Sequence, residues 1–121
     1  IERNTRPGEP ILAVPADAGL YFMTGRIPAL YDVMFIPGLL DSRADEQLAI
    51  ARLRREGVRL AVVGKRRFVG YGMTTFGADY NRLLAGEITG GGAPVATFGD
   101  PSKPAAGGTN PSEAYRIYRL R

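Results

Sequence analysis

The chain contains no cysteine and no histidine. Without cysteine there are no disulfides, thiol nucleophiles or thiolate metal sites; the compartment stays open, since secreted bacterial domains can also lack it. Without histidine, the commonest general base and the commonest metal ligand are both missing. Chemistry done by this chain alone would rest on Asp, Glu, Lys, Tyr, Ser or Thr. No apolar run approaches the ~20 residues of a membrane span, and no signal peptide is present, so the chain as it stands is expected to be soluble. Basic charge is modest as well. The net charge is +4 and the pI about 9.8. The 16 Lys and Arg are spread along the chain rather than gathered into a nucleic-acid-binding stripe, and no nucleic-acid partner is expected.

What is present describes one globular domain. A length of 121 residues holds a single modest core. With 45% hydrophobic and 23% charged residues, general disorder is excluded. The 16 glycines and 9 prolines give much of the length to turns and loops. Because the chain starts at Ile1 and not at methionine, it reads as a fragment of something longer.

Residues 17–38, DAGLYFMTGRIPALYDVMFIPG, concentrate the most unusual chemistry. Tyr21, Phe22 and Tyr31 stand beside Arg26, and Gly25, Pro28 and Pro37-Gly38 punctuate the stretch into rigid turns. Such a stretch serves either to meet a ligand or membrane headgroup layer, or to line the core. Around it, patterning predicts the elements. Residues 1–4 read as the end of a helix, Thr5 to Gly8 as a turn, and residues 11–14 as a buried strand closed by Pro15. Asp17 is the expected N-cap of a helix over 18–24 stopped by Gly25. A brief extended piece follows at 33–36. Ser42 or Asp41 caps a helix to about Glu56, stopped by Gly57, with Ala49, Ile50 and Leu53 as its apolar stripe. A strand over 59–63, a loop over 65–75 and an amphipathic helix carrying Tyr80, Leu83, Leu84 and Ile88 come next. Gly90 to Gly92 end it. Strands over 95–98 and 114–120 are expected to form an antiparallel hairpin around a long tip at 100–111. In the last strand Tyr115 and Ile117 face one way, Tyr118 and Leu120 the other.

The fold expected is α/β: a small sandwich with a mixed, mostly parallel sheet, a strand–helix–strand crossover and a C-terminal antiparallel hairpin. Catalytic motifs fail on inspection. Gly64-Lys65 after a strand lacks the phosphate loop's first glycine, and Arg66 stands where Ser or Thr is required. Gly90 to Gly92 follow a helix and precede a strand, the reverse of a dinucleotide site. Asp17, Asp41 and Asp79 are explained as helix caps, and no carboxylates have a metal-binding spacing. Lys65, Arg66 and Arg67 before Phe68 suit phosphate or anionic headgroups, or a solvated loop.

Leu20-Tyr21-Phe22-Met23-Thr24-Gly25-Arg26, preceded by Asn4-Thr5, Gly8 and a strand ending in proline, resembles a known pattern. It is that of the C-terminal extracytoplasmic domain of bacterial multi-spanning membrane glycosyltransferases. These enzymes depend on polyprenyl-phosphate sugars and are similar to protein O-mannosyltransferases and lipid A aminoarabinose transferases. Tyr31-Asp32, Pro37-Gly38, Phe76-Gly77, Tyr80, Phe98-Gly99 and Tyr118-Arg119 fit it, while Met23 replaces the usual leucine. The resemblance implies an accessory, periplasmic or cell-surface domain attached to the membrane through its parent. Its expected partners are the transmembrane portion of the same polypeptide, the membrane surface, and a lipid-linked sugar donor or acceptor. The resemblance implies no catalytic residue and no cofactor in this domain, because the family's catalytic carboxylate lies in an early loop outside it. Tyr21, Arg26 and Tyr31 are the implied substrate-binding residues, with Phe22 and Met23 packing inward. The alternatives are a free-standing binding module for an anionic ligand, using Arg26 and residues 65–67, or an independent soluble enzyme.

Overall fold

A computed structural model describes residues 1–16, 18–31, 35–36, 38–40, 42–64, 67–68, 74–90, 93–98 and 115–120. Expectations for Asp17, Asp32, residues 33–34, Pro37, Asp41, Lys65, Arg66, Gly91, Gly92 and the 100–111 tip lie outside the described residues.

The chain is α/β, with seven strands and three helices among the described residues. In order these are β1 (Pro10–Val14), α1 (Ala18–Thr24), β2 (Ile27–Pro28), α2 (Arg43–Arg55) and β3 (Leu60–Gly64). There follow β4 (Arg67–Phe68), β5 (Thr74–Thr75), α3 (Arg82–Thr89), β6 (Ala96–Phe98) and β7 (Tyr115–Arg119). Five strands form one sheet in the order β2-β1-β3-β7-β6, and β4 and β5 pair separately. No described helix is long and apolar enough to cross a membrane.

The sheet is mixed, but not mostly parallel. β1 runs parallel to β2 and to β3, while β7 is antiparallel to both of its neighbours, β3 and β6. The antiparallel share is the larger because β7 returns into the sheet between β3 and β6 and registers with β3 over five residues. The expected antiparallel pairing of the last two strands is present.

Both faces of the central strands are buried, which is why β1 and β3 read as unbroken apolar runs. Leu12, Val14, Ala61 and Tyr118 face one side, where they pack with Ala49 and Leu53 of α2 and Leu84 and Ile88 of α3. Ile11, Ala13, Leu60, Val62 and Ile117 face the other, against Tyr21 of α1. The alternation expected in the last strand therefore holds, with Tyr115 and Ile117 on the second side and Tyr118 and Leu120 on the first.

Local chemistry sets the ends of α2. The Ser42 hydroxyl accepts from Asp45 N–H at 3.1 Å. At the other end Gly57 adopts φ +64°, so Val58 N–H reaches back to Leu53 carbonyl at 3.0 Å. That is the glycine-terminated stop expected for this helix. Residues 1–4 form a turn in which Asn4 and Thr5 N–H both donate to Ile1 carbonyl. Two expectations are corrected. The 65–75 loop contains the two-residue pair β4 and β5. Asp79 does not cap α3; Asn81 takes that position.

Asn81 and Tyr80 instead pin the segment before α2. The Asn81 side chain donates to Leu39 and Leu40 carbonyls at 3.2 and 3.1 Å, and Tyr80 hydroxyl donates to Phe35 carbonyl at 2.7 Å. Phe76 stands edge-on to both Phe35 and Tyr80, a favoured aromatic geometry. The buried Glu46 carboxylate accepts from Leu84 N–H at 2.8 Å, tying α2 to the first turn of α3. This is a suitable place for negative charge.

Phe35 has no exposed surface, so Phe35→Ala should lower unfolding free energy by about 3–5 kcal/mol in denaturant titrations. Leu48→Ala, at an exposed site, should change it by less than about 0.5 kcal/mol. Burial, and secondly the Asp79 charge, push the Tyr80 phenol up to about 12. A phenol raised in the folded state stabilises fully below its unfolded value of about 10. That contribution is lost as pH rises from there through about 12. Unfolding measured across this range should show the loss in the parent protein and not in Tyr80→Phe; equal losses would refute the assignment.

Candidate functional site

The 20–26 segment builds a buried node. Gly25 at φ +65° ends α1 and lets Arg26 N–H reach back to Tyr21 carbonyl at 3.2 Å, the hydrogen bond of a glycine-terminated helix. The reversal points the Arg26 side chain into the protein, where it is 6% exposed. Its Nε donates to Thr5 hydroxyl at 3.1 Å. One terminal nitrogen donates to Thr24 carbonyl and the other to Thr5 carbonyl. Thr5 hydroxyl in turn donates to Ile1 carbonyl at 2.9 Å. Arg26 thus ties the N-terminal turn to the end of α1. Tyr21, also 6% exposed, lies against the sheet, and its hydroxyl accepts from Ala13 N–H at 2.8 Å.

The other residues of this stretch point outward. Phe22 and Met23 are 92% and 79% exposed, so the expected inward packing is corrected. With only seven residues, α1 has one narrow inward stripe. Tyr21 fills it, and the next two positions turn away. Tyr31 is 90% exposed and stands apart from both. The three implied binding residues therefore do not converge: two belong to the interior and one to the surface.

Two of the concave surfaces among the described residues border this stretch. The larger, of about 700 Å³, lies on the α1 side of the sheet. Val62, Ile117, Tyr115 and Ala96 form its sheet side, Leu20 and Thr24 of α1 one wall, and the N-terminal turn and Phe98 other parts of its lining. Among the described residues α1 is the helix on this side, and its seven residues span only part of the sheet. Exposed Val95 and Phe98 extend its apolar character. The smaller, of about 220 Å³, lies between α2 and the segment after β2, lined by Leu30, Tyr31, Leu40, Asp45, Leu48, Ala49 and Arg52. Neither surface follows from a sequence motif, and apolar periodicity does not reveal either.

Among the described residues no group of His, Cys, Asp and Glu is arranged to hold a metal. Two ion pairs lie elsewhere among the described residues, Arg54 with Glu87 and Arg59 with Glu9, each at 2.8 Å. No protein-family model, curated protein sequence or solved structure matches the chain.

Removing the Arg26 side chain strands two buried acceptors, so Arg26→Ala should destabilise the protein by about 2–4 kcal/mol. Arg26→Lys should not restore it, since an ammonium cannot reproduce the planar fork. Thermal melts that leave Arg26→Ala unchanged would exclude this structural role.

Proposed function

We propose that the chain is an accessory domain of a membrane glycosyltransferase that moves a sugar from a polyprenyl-phosphate donor to a lipid, glycan or protein acceptor. In this reading the domain lies outside the cytoplasm, covers the active site and helps to position substrate. Catalysis belongs to the rest of the polypeptide. The resemblance of residues 20–26 brings in the family. The observation that carries the reading to this structure is the apolar groove on the α1 side of the sheet, together with the exposed Phe22 and Met23 on the outer side of the same helix. Large exposed apolar patches mark surfaces that another body covers. The transmembrane portion of the same polypeptide is the partner the resemblance implies, and such a partner need not compete with water for this surface.

Two finer points of architecture go with the reading. β1 and β2 are parallel neighbours joined through α1, and β2 leads through α2 to β3 on the other side of β1; strand–helix–strand connections of this kind are almost always right-handed. The sheet and its helices then make a small sandwich whose thin side, over α1, is the side that seats on the membrane-embedded part. The acceptor groups that an anionic substrate would compete with are already engaged at Arg26. Substrate contact therefore falls to surface residues.

The reading is tested in the polypeptide encoded by the complete gene. That polypeptide should carry around ten hydrophobic segments of roughly 20 residues each. In membranes containing it, Phe22→Ser with Met23→Ser should reduce sugar transfer about tenfold or more while the purified 121-residue chain keeps its melting temperature. A gene without hydrophobic segments would overturn the reading, as would full transfer activity in the double variant.

A further inference from the structure

The pocket between α2 and the segment after β2 gathers an exposed aromatic ring, an exposed leucine and two charged side chains. Asp45, Leu48, Ala49 and Arg52 recur at i, i+3, i+4 and i+7 and so share one face of α2. Ala49 sinks into the core, while Leu48 stays 70% exposed and Tyr31 90% exposed across from it. Leu30 and Leu40 close the pocket on its inner side. Arg54 and Arg59 hold carboxylates at 2.8 Å. By contrast, the side chains of Asp45 and Arg52 have no hydrogen bond or ion pair among the described residues. They flank an exposed aromatic ring and an exposed leucine with an acceptor at one end and a forked donor at the other. The two charges sit about two helical turns apart, roughly 10 Å along the axis.

We infer that this pocket binds a single saccharide ring, with Tyr31 against its C–H face and Asp45 and Arg52 on its polar substituents. A pyranose is amphipathic in the way this site requires. One face presents polarised C–H groups, which suit the negative face of an aromatic ring. Its edge presents hydroxyls, which donate to a carboxylate and accept from a guanidinium. At about 220 Å³ the pocket is smaller than the ~300–1,000 Å³ typical of drug-sized ligands, as befits one ring. Arg52 adds a bidentate donor for an anionic substituent, a phosphate on the sugar being the one it fits best. The inference deepens the glycosyltransferase reading and rests on it for the presence of saccharide. It moves the binding role from Tyr21 and Arg26, which face inward, to Asp45 and Arg52, with Tyr31 kept.

Amide NMR titration of the 121-residue chain tests the site. The probes are methyl glycosides of glucose, mannose and galactose, the corresponding sugar 1-phosphates, and inorganic phosphate alone. Saturable shifts centred on Tyr31, Asp45, Leu48 and Arg52 are expected with at least one sugar probe. Tyr31→Ala should weaken that binding roughly five- to tenfold with the melting temperature preserved. Equal binding of glycoside and 1-phosphate identifies an acceptor-type saccharide. Preference for the 1-phosphate, lost in Arg52→Ala, identifies a glycosyl phosphate. No saturable shift with any sugar, shifts unaffected by Tyr31→Ala, or inorganic phosphate matching the sugar phosphates would overturn the inference. If transfer in membranes still depends on Phe22 and Met23 in any of those cases, the glycosyltransferase reading survives and only the saccharide site falls.

Discussion

A guanidinium taken out of water must find acceptors, and Arg26 finds three on Thr5 and Thr24. Much of the molecule's shape follows from that requirement. Gly25 turns the chain so that Arg26 points inward, and the arginine then holds the N-terminal turn against the end of α1. Tyr21, one turn earlier, anchors α1 to β1 through Ala13. With both ends fixed, α1 lies over only part of the sheet, and Val62, Tyr115 and Ile117 form the side of an open groove. On the opposite face α2 and α3 pack against the sheet and Glu46 joins them.

Much of this architecture was legible in the residues. Ser42 and Gly57 mark α2 because a cap hydroxyl and a left-handed glycine are chemical requirements of helix ends. The continuous apolar runs of β1 and β3 and the alternation in β7 reflect how many of their faces are buried. β2 was not legible: two residues, one of them proline, leave no periodicity to detect. The balance of parallel and antiparallel pairing was also hidden, since it depends on where β7 enters the sheet after a long connection. The start of α3 was misplaced because Asp79 looks like a cap, whereas Asn81, in the left-handed region, holds that position and turns its amide to Leu39 and Leu40.

The candidate site was only half legible, and for a physical reason. Residue types told us that 17–38 matters, but not which way each side chain points. A seven-residue helix has one buried stripe, so a shift of a single position exchanges interior for surface. Tyr21 and Arg26 went inward, Phe22 and Met23 outward. The functional weight on Arg26 came from the resemblance, with which its chemistry as an anion binder agrees, and the same planar fork serves equally well to gather backbone carbonyls. Asp45 and Arg52 drew no attention in the sequence because charges on a helix are ordinarily solvated. Their significance comes from Tyr31, which only the fold brings alongside.

On the proposed reading, one side of the domain meets its membrane-embedded partner while the α2 side presents a pocket for sugar. The orientation is the central claim, and a photoreactive side chain at position 23 reports on it directly. Placed there in the full polypeptide within native membranes, it should crosslink to an apolar segment of the same chain, whereas the same group at Arg55, on exposed α2, should not. Crosslinking from neither position, or from both alike, would contradict the account.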